Sequence, residues 1–160
     1  MTYSPSIFNS SSINGIVPNE LDNETAEKIG RAFAQFTSAN KVCVGRDMRA
    51  TGLSLQDALI KGLTEQGVDV IDVGVVDNAL FYFSVGKSEA DAGVMVSAPQ
   101  SSEEYNGFIM TRAQAVPVSQ DTGLLDIRAM VEKGDFPVGN KIGVVKKADY
   151  SKECLDSTQQ

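Results

Sequence analysis

Histidine is absent from this chain, and so is tryptophan. Without an imidazole, a Ser-His-Asp triad, a Cys-His pair and a histidine-ligated metal are all excluded. Cysteine is scarce: Cys43 lies in an apolar run and Cys154 in a polar stretch, at no spacing that suits a zinc site or a disulfide framework. Two such thiols read as reduced, which points to the cytoplasm. No apolar run reaches the roughly 18 residues a membrane span needs. The opening MTYSPSIFNSSS has neither a basic stretch nor an apolar core, so no signal peptide is expected. Basic residues are in deficit, with 14 Lys and Arg against 21 Asp and Glu and a net charge of -7. Nucleic acid and anionic membrane would be repelled, and neither is expected as a partner.

What is present is a regular alternation of helix and strand. At 160 residues the chain is one domain by length, long enough to bury a core. Residues 13–17 form a brief extended piece. Asp22 or Asn23 then caps a helix, with Glu24 and Glu27 in its first turns, where the dipole favours negative charge. Ala26, Ile29, Phe33 and Phe36 follow at steps of three and four and share a face. Residues 41–45 (KVCVG) read as a buried strand. A polar loop leads to a second helix with the stripe Leu55, Ala58, Leu59, Gly62 and Leu63, stopped at Gly67. Residues 68–73 (VDVIDV) and 92–96 are further strands, with a short aromatic-rich helix at 78–85 between them. Phe81, Tyr82 and Phe83 of that helix read as packing under the sheet rather than a ligand cage. Another strand begins at 108–111, and Asp121-Thr122-Gly123 opens a last helix with Leu124, Ile127 and Val131 facing in. The pattern predicts an α/β fold, a three-layer α/β/α sandwich with a mostly parallel, mixed sheet. From about Gly139 the chain turns polar and irregular, so the domain is placed at 1–138 and a polar tail at 139–160.

The organising stretch is residues 93–108, GVMVSAPQSSEEYNGF. An apolar run passes into a loop of small polar residues and re-enters order at Tyr105-Asn106-Gly107-Phe108, as an active-site loop does at the carboxyl end of a buried strand. It resembles the phosphoserine loop of the α-D-phosphohexomutases, the phosphomannomutase/phosphoglucomutase family, usually worded GVMITASHNPPEYNGFK. Ile29-Gly30-Arg31-Ala32-Phe33, Gly45-Arg46-Asp47-Met48-Arg49, Gln66-Gly67-Val68-Asp69-Val70 and Asp121-Thr122-Gly123-Leu124 resemble further family segments in the same order. The resemblance implies the first domain of a four-domain, hexose-phosphate-converting enzyme.

The departures fall on the chemistry. The family transfers a phosphoryl group through a phosphoserine, and that position is here Pro99, which has no hydroxyl. The neighbouring histidine and asparagine are Gln100 and Ser101, the lysine after NGF is Ile109, and an N-terminal arginine is Asn14. The family's magnesium loop belongs to domains outside the resemblance, so no cofactor is expected. These departures imply a non-enzyme, a binding or regulatory module with a protein partner or self-association, and speak against phosphosugar binding. The alternative is a subunit or fragment of a phosphohexomutase. Ser97, Ser101 and Ser102 read as ordinary loop serines before displaced nucleophiles, since about 1 Å of misplacement can cost roughly a hundredfold. Arg46 and Arg49 either hold a phosphate together, or Arg46 pairs with Asp47 or braces the loop; the second is preferred because position 14 has lost its cation. Asn106 completes the candidate ligand or partner loop, and Glu103-Glu104 read as solvated.

Overall fold

Short apolar runs pair into one six-stranded sheet of order β1-β5-β4-β2-β3-β6 in the computed structural model, which describes residues 5–99, 101–137 and 139–158. The strands are β1 (Ile13–Ile16), β2 (Lys41–Arg46), β3 (Asp69–Val75), β4 (Ala92–Val96), β5 (Tyr105–Arg112) and β6 (Val145–Lys147). β4, β2, β3 and β6 run parallel to one another, whereas β5 is antiparallel to both β4 and β1. The helices are α1 (Asn23–Thr37), α2 (Gly52–Glu65), α3 (Asn78–Lys87), α4 (Leu124–Lys133) and α5 (Ser151–Thr158).

Side-chain alternation along the central strands makes two cores. Val42, Val44, Val94 and Val96 enter the larger one with Ile29, Phe33, Leu59 and Ile127, under α1, α2 and α4. Cys43 and Met95 point the other way, onto Phe81 and Val85 of α3. The expected three layers are therefore present. Only Phe81 of the aromatic trio is fully buried; Tyr82 is exposed, so the reading of all three as core holds for the first alone.

The caps follow local chemistry. The Asp22 carboxylate accepts from the Thr25 amide at 2.8 Å and starts α1. Asp77 does the same for α3, accepting from the Leu80 amide at 2.8 Å. The helices α1 and α2 cross where glycines face backbone: a Cβ at Gly62 would run into the Glu27 carbonyl, and one at Gly30 into that of Leu59. Around the crossing, Arg31 pairs with Glu27 at 3.0 Å and with Glu65, and Lys61 lies 3.8 Å from Glu27.

The stretch from Gly139 is not irregular throughout. β6 extends the sheet beyond β3, with Val70 opposite Val145 and Asp72 opposite Lys147. Its three side chains are all exposed, so the run carries no apolar alternation to announce a strand. The backbone holds it: the Gly143 amide donates to the Thr64 carbonyl at 2.8 Å, and the Val144 amide to the Asp69 carboxylate at 2.9 Å. α5 follows and lies beside α3.

Substitution and thiol chemistry check this packing. Gly62→Ala gains about 1 kcal/mol of helix propensity but must push two backbones apart, a cost of about 3 kcal/mol at the upper end for overpacking. A net loss of about 2 kcal/mol in denaturant unfolding is expected. Gly86→Ala in α3, where nothing lies within 4 Å of the new Cβ, should instead stabilise by about 0.5 kcal/mol. Burial pushes the Cys43 thiol up to about 12 from its ordinary 9.0. A native-state thiol reagent should therefore modify Cys154 and leave Cys43 intact until unfolding. Because the folded value is raised, this contribution to stability is whole below about pH 9 and is lost as pH climbs toward 12.

Candidate functional site

The parallel strands β2, β3 and β4 end together, and the segments leaving them interlock. The Asp47 amide donates to the Val96 carbonyl at 3.1 Å, the Val76 amide to the Arg46 carbonyl at 2.9 Å, and the Ser97 amide to the Gly107 carbonyl at 2.8 Å. Chains diverging from the carboxyl ends of strands leave a crevice. Here it is an open cleft of about 1210 Å³ whose walls include Asp47, Met48, Arg49, Asp77, Ser101 and Glu104. A smaller lobe of about 490 Å³ adjoins it, sharing Met48 and Arg49 and adding Arg46 and Leu53.

Arg49 organises the loop that follows β4. Its guanidinium donates to the carbonyl oxygens of Ser102 at 2.6 Å, Tyr105 at 3.0 Å, Ser101 at 2.9 Å and Ala98. Asp47 lies 3.4 Å from the Arg49 Nε, and its carboxylate also accepts from the Ser97 hydroxyl at 2.7 Å. The arginine that braces the loop is Arg49, whereas the expectation had named Arg46. Arg46 behaves differently from the expectation: its Nη1 donates to Gln56 Oε1 at 2.6 Å rather than to Asp47, because the Asp47 carboxylate is turned to Ser97 and Arg49.

The loop serines separate by position. Ser97 is buried and spent on Asp47. Ser101 lines the cleft, and Ser102 is exposed outside its lining. Pro99 is exposed and sits second in a turn closed by the Ser101 amide on the Ala98 carbonyl at 3.0 Å. Proline suits that place, since its ring presets the φ such a turn requires. Gln100 lies outside the described residues. Asn106 is fully buried, donating to Thr51 Oγ1 at 3.0 Å and accepting from the Gly107 amide at 2.8 Å, so it frames the loop instead of facing a ligand. Ile109 stands opposite Met95 and packs on the smaller core.

Two residues of the site were not legible as such. Gln56 is fully buried, and its Nε2 donates to Asp72 Oδ1 at 2.8 Å. Its signal lay in the spacing, for it occupies a position between Leu55 and Leu59 on the inward face of α2. Asp77 caps α3 and borders the cleft.

The family model for the phosphoglucomutase/phosphomannomutase alpha/beta/alpha domain I matches residues 5–138. The chain belongs to that family. It is 36% identical over 151 residues to a phosphomannomutase of Klebsiella pneumoniae, covering 93% of this chain and 96% of that one. A phosphomannomutase of Escherichia coli is also 36% identical, over 93% of this chain but 33% of its own length. The crystal structure of a phosphoglucomutase/phosphomannomutase family protein from Burkholderia thailandensis superposes with a TM-score of 0.86 at 28% identity, over 96% of this chain and 35% of that one. The chain thus spans nearly all of the first relative and about a third of the other two.

These relatives overturn the expectation of a non-enzyme. They carry the name of an enzyme at 36% identity, and that expectation leaned on position 99. Pro99 shows only which hydroxyl is lacking; the cleft and its bracing arginine are present, with Ser101 among the lining residues. Magnesium, implied by the family, finds no fitting donor set here: among the described residues no three acidic or thiol side chains, those around the cleft included, are grouped so as to hold a metal ion, so no step is assigned to it. Nor, among those residues, is any helix long and apolar enough to cross a membrane.

Arg49→Met tests the loop. Its side chain is 16% exposed, and charged hydrogen bonds at such sites contribute about 1.5–3 kcal/mol. Stability should fall by about 2–3 kcal/mol, with faster hydrogen exchange across residues 97–105. Unchanged exchange there would show that Arg49 does not hold the loop.

Proposed function

We propose that this chain works as the first domain of a phosphohexomutase-type enzyme, supplying one wall of a site for phosphoryl transfer on hexose phosphates. The observation that carries the reading is the cleft at the carboxyl ends of β2, β3 and β4, closed by a loop whose shape Arg49 holds through four backbone carbonyls. Preorganised walls of this kind are what positioning catalysis needs.

Within this reading the hydroxyl offered to the cleft is that of Ser101. Transfer to it forms an Oγ–P bond, breaks the P–O bond to the donor sugar and passes the serine proton to the departing sugar oxygen. The cleft wall carries Asp47, Asp77, Glu103 and Glu104, so cations for the transferring group must come from further polypeptide. The expected partner is a protein that completes the site. Free thiols at Cys43 and Cys154 support a reducing, cytoplasmic setting.

The test mixes this chain with the E. coli relative lacking the third that it matches, and follows conversion of mannose 1-phosphate to mannose 6-phosphate. Turnover should appear in the mixture, exceed that of either part alone, and fall at least about a hundredfold with Ser101→Ala. No turnover in the mixture, under conditions where the intact relative is active, would overturn the proposal.

A further inference from the structure

The two lobes of the cleft differ in charge. The larger is bordered by four carboxylates, and its arginine, Arg49, is occupied by loop carbonyls and Asp47. In this chain by itself an anionic group is repelled there, which is why a phosphoryl group on Ser101 depends on cations from the completing polypeptide. The smaller lobe shares one of those carboxylates, Asp47, which is already engaged by Arg49 and Ser97, and it adds Arg46 to its wall. Among the described residues this guanidinium has one hydrogen-bond partner, Gln56, which occupies one of its five N–H donors.

Gln56 is built into the fold on both sides. Its amide is fully buried and bridges Arg46 Nη1, 2.6 Å away, to Asp72 Oδ1, 2.8 Å away. The same Asp72 oxygen accepts from the Gly74 amide at 2.9 Å. Gly74 has φ +71 and stands where the β2–β3 register shifts, after Val44. The Asp72 carbonyl is in turn taken by the Ala148 amide at 3.0 Å. A buried amide with both its polar ends engaged has one orientation, so the arginine it holds is presented in one direction. The remaining N–H donors of a planar guanidinium are suited to two oxygens of a phosphoryl group.

We infer that Gln56 is a positioning residue that aims Arg46 into the smaller lobe, making it the subsite for a phosphoryl group. The inference rests on the hexose-phosphate reading and extends it: the phosphoryl group that is not being transferred lies toward Arg46 and Leu53, and the sugar's neutral hydroxyls, with the one that exchanges with Ser101, lie toward the larger lobe.

The probe is inorganic phosphate, titrated calorimetrically into the whole chain. Parent protein should bind it, Arg46→Met should lose binding, and Gln56→Met should weaken it about tenfold. In the Arg46→Met background, Gln56→Met should add nothing to the loss, whereas its effect on unfolding should persist in both backgrounds. That non-additivity separates aiming from mere stability. Should Gln56→Met fail to fold, the parent alone decides: the Arg46 side-chain N–H signals in NMR should shift on phosphate titration. Parental affinity in Gln56→Met, additive losses, or Arg46 signals that stay still while phosphate binds would each overturn the inference. So would a parent that binds no phosphate, a result that leaves the mixture assay free to support the mutase reading. Phosphate binding through Arg46 with no turnover in the mixture would keep the subsite and remove the mutase.

Discussion

The site depends on one guanidinium. The carbonyls of Ala98, Ser101, Ser102 and Tyr105 converge on Arg49. Loop carbonyls turned away from water must find donors, and a planar cation with five N–H groups can serve several at once. The arginine therefore acts as the missing hydrogen-bonding framework of a segment with no sheet or helix of its own. Asp47 offsets its charge, and Ser97, through its hydroxyl, fixes Asp47. A cation committed in this way is not available to a ligand, and this makes the larger lobe an acidic surface despite its arginine.

The fold was legible where burial imposes a pattern. Both-face burial of β2 and β4 requires continuous apolar runs, and KVCVG and AGVMV supply them. β6 was not legible, because it contributes backbone hydrogen bonds at a sheet edge and buries no side chain. The aromatic trio misled for a related reason: consecutive residues on a helix point about 100° apart, so Phe81 enters the core while Tyr82 faces out. At the site, Arg49 and the Tyr105-Asn106-Gly107 frame could be read from motif order. Arg46 was paired with its sequence neighbour Asp47, although adjacent residues on an extended segment face opposite ways. Its real partner, Gln56, sits ten residues on, and only a polar residue in an otherwise apolar stripe hinted at it.

The β2–β3 irregularity links fold and site. Bulges re-aim side chains near functional positions, and here Gly74 adopts a positive φ with nothing near its missing Cβ. The conformation is held by Asp72, whose carboxylate receives the Gly74 amide and the Gln56 side chain at once. One carboxylate thus sets the turn of β3 toward the cleft and the anchor of Arg46. Ala148, just past β6, binds the main chain of the same residue, so the stretch that looked like a tail supports the site from behind.

The way Arg49 bonds also accounts for where this sequence departs from the family's wording. Its partners in the loop are backbone carbonyls, which every residue type provides. Side chains over 99–104 can change without dismantling the loop, provided each backbone conformation stays accessible, and proline at 99 meets that condition in its turn. Gly107 has no such freedom: a Cβ there would strike the Ile13 carbonyl of the paired β1, and Asn106 is locked to Thr51 and to its own neighbour. The frame is thus fixed by contacts that depend on side-chain identity, and the span between is fixed by contacts that do not. A loop built this way keeps its shape while its chemistry varies, so the residue at 99 says little about whether the cleft works and the placement of Ser101 and Arg46 says more.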